Sequence, residues 1–414
     1  MKFTRVFAFM ALAGLAGSAF ATNGMFSHGY GMKAKGMAGA ATATYDDAFG
    51  GANNPAEMAF AGNRIDLGVD LFSPRRQATM GAPAFGPAGA TVESDSDYFL
   101  IPEFGYNKMA NDSMALGVTV YGNGGMNTNY PVISPPGVNF FGAPGSLGVN
   151  LVQLVIAPTL AYKIAPDHSI GISPLIGYQR FAAKGLQNFG IANATGGDIG
   201  TDDAWGFGVR VGYMGKLTPD WTIGAAYASK INFSKFDKYK ALFLDQGDLD
   251  LAENWNLGVA WQATPAIKLA LDYQQINYSG VNSIGAPVDL AKGGGFGWED
   301  AKVVKLGMEY KASQNMMLRA GYSHTNSPIK GSDAVCMPGS PNCGNVTLNI
   351  LAPGVIEDHL TLGMTYTLES GNELTVAYMH GFQNSVSGYD PLSTGTDTIQ
   401  MYQNSLGVQY SWKM

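Results

Sequence analysis

From about residue 63 the chain alternates apolar with small or polar residues at a period of two. In HLTLGMTYTL (359–368), Leu360, Leu362, Met364, Tyr366 and Leu368 fall on one face, and Thr361, Gly363, Thr365 and Thr367 on the other. WGFGVRVGY (205–213) sets Trp205, Phe207, Val209, Val211 and Tyr213 against Gly206, Gly208, Arg210 and Gly212. The C-terminal segment repeats the pattern, with Leu406, Val408, Tyr410 and Trp412 against Ser405, Gly407, Gln409 and Ser411. Side chains of a strand alternate between faces, so this period predicts sheet throughout.

The spacing of the breaks narrows the fold class. Short polar turns follow Met109, Ile164, Leu217, Ala263, Ala312 and Leu368, and long connections lie near 80–95, 131–149, 185–200, 234–248, 280–298, 326–355 and 384–398. Strict alternation of short and long predicts about fourteen antiparallel strands with all short turns at one end. Aromatic residues mark the strand ends, among them Tyr98, Tyr106, Trp221, Tyr227, Trp255, Trp261, Tyr310, Tyr322 and Tyr378. Long strands, asymmetric loops and aromatic ends together predict an all-β transmembrane barrel of an outer membrane, at residues 63–414. Hydrocarbon offers no hydrogen-bond partner, so strands cross it only when their edges are closed.

What precedes the barrel divides in two. Lys2 and Arg5 lead an apolar stretch that ends at Ser18-Ala19-Phe20-Ala21, a secretory signal peptide expected over residues 1–21. Residues 22–62 lack the alternation and carry YDDAFGGANNPAEM, rich in turn formers and small residues. This segment is expected to fold inside the lumen as a plug, in short helices capped by Asn or Asp. A fourteen-stranded lumen lies between the packed eight-stranded barrel and the aqueous porin.

Composition agrees with an exported sheet protein: 55 glycines, 20 tyrosines and 14% charged residues. Loss of Lys2 and Arg5 takes the formal charge from −7 to −9, which argues against a nucleic-acid partner. The inward-facing positions read mostly as Gly, Ala, Ser, Thr and Gln with scattered charges, better suited to a filled lumen than to an ion-selective pore. Cys336 and Cys343 are the only cysteines and are expected to form a loop disulfide. No metal-ligand spacing occurs, so neither a metal nor a cofactor is expected. The acid groups Glu93, Asp95, Asp97 and Asp245, Asp248, Asp250 lack the spacing of a calcium loop and read as solvated loop faces.

Beyond these patterns, DDA at Asp46–Ala48 followed by NPA at Asn54–Ala56 resembles the FadL-type outer-membrane transporters of long-chain fatty acids and other hydrophobic compounds (OmpP1/FadL/TodX). WGFG (205–208), WEDA (298–301), SP (327–328) and YMHG (378–381) support the resemblance over nearly the whole chain. It implies a hatch inside a fourteen-stranded barrel, an NPA segment in contact with an inward kink of the third strand, and lateral release of ligand into the bilayer. The third strand reads MALGVTVYGNGGMNTNY, where Gly122, Gly124 and Gly125 interrupt the alternation and Gly125 matches the kink. Asn54, with Pro55 and Ala56, is expected to hydrogen-bond the kinked backbone near Gly125.

Met25, Phe26, Met32, Met37 and Phe49 are expected to line the apolar ligand pocket, methionine adapting to varied shapes. Arg180, Lys184 and Lys292 are candidate cations for a ligand carboxylate. SKFDKYKALFLD (234–245) is expected to offer Phe236, Tyr239, Leu242 and Phe243 as an exposed apolar collecting surface. The function expected is passive uptake of hydrophobic molecules, fatty acids first and monoaromatic or aliphatic hydrocarbons second, by a monomer in contact with outer-membrane lipid and lipopolysaccharide. A general porin is disfavoured by the plug. A hydrolase would need serine, acid and one of His168, His324, His359 or His380 to converge, and no G-x-S-x-G is present.

Overall fold

The computed structural model describes residues 23–81, 88–191, 197–288, 294–332, 335–337 and 340–414. The expected signal peptide and Lys292 lie outside the described residues. Fourteen long strands form the wall: β1 (Arg64–Thr79), β2 (Phe99–Met109), β3 (Met114–Asn127), β4 (Gly148–Ala165), β5 (His168–Lys184), β6 (Asp202–Lys216) and β7 (Trp221–Ala228). The second half comprises β8 (Asn254–Thr264), β9 (Ile267–Ile276), β10 (Ala301–Lys311), β11 (Met316–Thr325), β12 (Asp358–Thr367), β13 (Glu373–Asp390) and β14 (Gly395–Lys413). Each strand pairs antiparallel with the next, and β14 pairs with β1 from Arg64↔Lys413 to Thr79↔Thr398, closing the barrel. Two short pieces extend the sheet: Thr91–Glu93 on β1 and Asn232–Phe233 on β6.

The loop asymmetry follows the alternation of turn signals. One end holds tight turns, such as Pro166–Asp167 between β4 and β5 and Pro265–Ala266 between β8 and β9. The other end holds the long connections, with one correction. The connection expected at 384–398 is a turn at 391–394, because β13 and β14 run on through a bulge between Gly381 and Asn384. A bulge shifts the period-two pattern, so a continuing strand reads as a loop.

Apolar residues cover the outside. Leu71, Leu116, Leu160, Leu257, Leu306, Leu362 and Leu406 are exposed on it, with Tyr162, Trp205, Trp221, Tyr227, Tyr310 and Trp412 toward the strand ends. In water such a surface would aggregate; in hydrocarbon it is the solvated state. Among the described residues no helix is long and apolar enough to cross a membrane.

Inside, residues 23–62 are almost wholly buried against the wall. They hold one short helix, α1 (Met32–Lys35), and a 3-10 turn at Pro55–Ala59. A segment without its own ladder needs partners for its backbone N–H groups. The wall supplies them: Ala48 N–H donates to Asp66 of β1 (2.7 Å), Gly51 to Thr119 of β3 (3.2 Å), Thr42 to Asp272 of β9 (2.8 Å), Ala38 to Thr361 of β12 (2.9 Å) and Met32 to Gln409 of β14 (2.9 Å). Inward-facing glycines make notches for it. A Cβ on Gly224 would lie 1.9 Å from the Thr42 oxygen, and one on Gly321 2.3 Å from the Met37 carbonyl carbon.

The inner face is more charged than its sequence suggests. Lys35 meets Asp70 at 2.8 Å and Glu103 at 2.7 Å, Lys33 meets Glu373 at 2.6 Å, and Lys268 and Arg319 share Glu309 at 2.8 and 2.7 Å. The Lys33 and Lys35 pairs, distant in sequence, form only when the barrel closes on the segment, whereas Lys268, Glu309 and Arg319 are cross-strand neighbours on β9, β10 and β11. Burial opposes the Lys35 charge, but Asp70 and then Glu103 outweigh it and hold the ammonium above the ordinary lysine range. Removing one partner of such a pair leaves buried charge uncompensated, at about 3–5 kcal/mol. Lys35→Met should therefore undock residues 23–62 while the barrel persists. The check is protease sensitivity of that segment in urea, beside the heat-modifiable migration of the barrel; unchanged sensitivity would contradict the assignment.

Candidate functional site

The wall is not laddered along its whole height. β2 and β3 pair only from Phe104↔Val120 to Met109↔Ala115, which leaves Phe99–Glu103 of β2 and Tyr121–Asn127 of β3 without ladder partners in each other. The free half of β3 stays with β4 through a bulge: Gly122 faces Leu154, and Gly125 faces Val152. From Thr119 to Asn127 every residue is buried, so this half has left the surface and lies inside the molecule. A neighbouring case shows the alternative. β6 also outruns its partner β7, yet residues 229–234 take over its edge, with Ser229 and Ser234 N–H groups donating to Val209 and Trp205. Among the described residues, Phe99–Glu103 of β2 has no such cover.

The inward bend rests on the start of the N-terminal segment. Asn123 O accepts from Ser27 N (3.3 Å) and from Tyr30 Oη (3.2 Å), and Asn123 Oδ1 also accepts from Tyr30 Oη (3.0 Å). A Cβ on Gly124 would lie 1.5 Å from the Met25 carbonyl oxygen, so only glycine permits this approach. Behind it stand Phe26, Tyr278 and Trp298, stacked edge to face with centroids 6.1 and 5.1 Å apart, and the Tyr30–Tyr121 pair at 4.6 Å.

A groove of about 1130 Å³ opens at the break. On one side it is lined by Leu67, Val69 and Leu100, which point outward from β1 and β2; on the other by Val149 and Ala183, which point inward from β4 and β5. On the β4 and β5 side outward-facing Asn150 and Ala182 line it as well, so the groove lies in the gap left where β3 withdraws from the wall. Above it the two lips are tied: Asp95 N–H donates to Asn129 O (2.9 Å), and Asn129 N–H to Ser94 Oγ (3.0 Å). The break is therefore a window, closed below by the β2–β3 ladder and above by these contacts.

Several expectations are corrected. Asn54 does not touch the backbone near Gly125. Its Nδ2 donates to Thr42 O (2.8 Å) and to Tyr213 O of β6 (2.9 Å), while its Oδ1 caps the following turn at Ala56 N (3.1 Å). Pro55 and Ala56 sit in the same place, against Gly171 and Gly212, and Ser169 Oγ donates to Ala56 O. The bend at Gly122, Gly124 and Gly125 is instead held by Met25 to Tyr30. Met25 and Phe26 belong to the large apolar cluster behind it, whereas Met32 packs into the wall at Gly68 and Gly407, Met37 at Gly307 and Gly321, and Phe49 against Gly31.

Arg180 lies on the outward face of β5, and Lys184 is exposed at the rim of the groove. Phe236, Tyr239 and Phe243 are buried around Phe181, with centroids 5.8, 4.7 and 4.9 Å away, and so form no exposed collecting surface. Cys336 and Cys343 are disulfide-bonded, with Cα atoms 5.7 Å apart. The histidines assemble no hydrolase triad. Ser323 is 3.3 Å from His359, but the other His359 nitrogen meets Gln403 (3.0 Å), and Asp358 faces away to His324 (2.8 Å). Sequence reading missed the buried ion pairs and Arg76, whose pattern signal was only an inward-facing cation near a strand end.

Known proteins share this architecture. No curated protein is similar enough in sequence to match. Among solved structures, the P. putida toluene transporter TodX superposes with a TM-score of 0.68 at 19% identity, over 94% of this chain and 99% of that one. A Pseudomonas aeruginosa FadL homologue superposes at 0.69 and 15% identity, over the same shares of 94% and 99%. The Ralstonia pickettii toluene transporter TbuX does so at 0.65 and 15%, again over 94% and 99%. At these identities the likeness establishes the fold. The family assignment comes from residues 8–340, which match the model of the outer membrane protein transport proteins (OMPP1/FadL/TodX), and the chain belongs to that bacterial outer-membrane family of hydrophobic-compound transporters.

Proposed function

We propose that this transporter takes up hydrophobic molecules passively and releases them sideways into the bilayer through the window between β2 and β3. The observation that carries the reading is the groove that opens where β3 withdraws from β2, lined by residues of both faces of the wall. Each methylene held out of water is worth about 0.8 kcal/mol, so release into periplasmic water would forfeit most of a long chain's binding free energy. Passage from an apolar cavity into lipid keeps it. Residues 22–62 act as the hatch. They block the straight route to the periplasm and prop β3 inward at Asn123 and Gly124.

Long-chain fatty acids are the first candidate substrate, since a mainly apolar groove with polar groups in its lining (Asn127, Asn150, Lys184) suits an amphipathic chain. Monoaromatic hydrocarbons are the second; two of the similar structures are of proteins described as toluene transporters. The monomeric state and contact with lipopolysaccharide belong to the same reading. Asn54 serves it by docking the hatch on β6, away from the bend.

Two changes test the route in proteoliposomes, with uptake of radiolabelled oleate and toluene as the readout. Ala182→Trp, which fills the groove from β5, should cut uptake about tenfold or more, on the scale of steric losses in packed sites of about 1–3 kcal/mol. Uptake equal to wild type in a folded barrel would exclude the window as the exit. Gly124→Val should displace Met25 and with it the bend, changing uptake while barrel migration stays native. An unchanged rate would show that the bend does not control passage.

A further inference from the structure

One buried cation at the window is used by nothing described so far. Arg76 points inward from β1 and is 5% exposed. Its Nη1 donates to the Asn127 carbonyl, at the end of β3, and its Nη2 to the Ser96 carbonyl, just before β2. It therefore joins the two lips of the window. It also lines, with Gly24, Gly125 and Trp298, the small cavity on the inner side, while Ser96 and Asn127 line the groove on the outer side. The guanidinium stands in the partition between the two spaces.

Its bonding is incomplete in a specific way. A buried guanidinium ordinarily finds a carboxylate. Among the described residues Arg76 has no ion pair; the nearby Asp97 carboxylate meets Arg75 through Oδ2 at 2.5 Å, and its Oδ1 is buried without a hydrogen-bond partner among the described residues. Among the described residues Arg76 Nε has no hydrogen-bond partner, and neither has the hydroxyl of Tyr130, which is fully buried in the same region. The Phe99 ring lies under the guanidinium, 5.8 Å from Cζ, and gives it an apolar floor. Two spare donors beside an apolar surface, one of them charged, fit an anionic oxygen on an otherwise apolar molecule.

We infer that Arg76, with Tyr130, is the headgroup-reading element of the lateral window, selecting amphipathic monocarboxylates by exchanging the lip carbonyls of Ser96 and Asn127 for the ligand carboxylate. The exchange releases the tie that Arg76 makes between the two lips as the headgroup arrives, while the Ser94–Asn129 and Asp95–Asn129 contacts above it stay in place. A neutral hydrocarbon offers Arg76 nothing in return for those carbonyls. The inference rests on the lateral-uptake reading above and adds to it the residues that recognise the carboxylate.

The test uses the full-length protein in proteoliposomes and compares uptake of oleate with that of methyl oleate, the same chain without the charge. Arg76→Leu should lower the oleate-to-ester uptake ratio about tenfold or more, the usual scale for hydrogen bonds to a charged group. Arg76→Lys should restore part of the ratio. Tyr130→Phe removes only a hydroxyl that has no partner in the resting structure, so it should fold normally and still lower the ratio, by about threefold. An unchanged ratio in Arg76→Leu and Tyr130→Phe, with wild type moving both compounds, would overturn the selectivity assignment and leave the window intact. A wild type that moves neither of these compounds nor toluene would overturn the transport reading itself.

Discussion

The structure depends on a single constraint: hydrocarbon cannot satisfy a backbone N–H or C=O, so a spanning sheet must have no free edge. The fourteen strands meet it by closing β14 onto β1 over their full length. Where β6 outruns β7, a return of the chain at 229–234 meets it again. At the extracellular half of β2 and β3 the ladder stops, and the constraint is met by withdrawal. β3 turns inward, keeps its bonds to β4, and gives its freed groups to the N-terminal segment. On the β3 side of the opening, the N-terminal segment takes up bonds that the wall gives away.

That explains why one segment does two jobs. Residues 23–62 fill the lumen because the wall's inward carboxylates, hydroxyls and amides receive their N–H groups. Their first residues, Met25 to Tyr30, also replace β2 as the partner of β3. Filling and bending are therefore coupled. The segment cannot leave without stranding Asn123, and β3 cannot straighten without losing its bonds to Ser27 and Tyr30. Burial of Lys33 and Lys35 against Glu373, Asp70 and Glu103 fixes the register between segment and wall, since sliding would separate charges that have no water to retreat to.

Much of this was legible in the residues, and the gaps have physical causes. Alternation such as that at 359–368 declares a two-faced strand without any knowledge of its neighbours, so the strand count and closed class follow from one dimension. Three glycines in GNGG (122–125) declare an interruption for the same local reason. What the bend touches is a three-dimensional fact. Asn54 looked suited to the bend, yet the closed barrel places it at Tyr213, while Asn123 meets Tyr30. Phe236, Tyr239 and Phe243 carry the composition of an exposed apolar patch, and only the position of Phe181 reveals them as core. Arg76 was least legible, because a lone inward arginine gains meaning only from the two lips it joins.

The central claim is that molecules cross the wall between β2 and β3. A fatty acid carrying a photoreactive diazirine near its methyl end, activated during uptake into proteoliposomes and mapped by mass spectrometry, tests it most directly. Lateral passage predicts adducts on Leu67, Val69, Leu100 and Val149, residues from both faces of the wall that line the groove. Adducts confined to the hatch and to the inward faces of β6 through β12, with none in the groove, would contradict it and point to a route through the lumen.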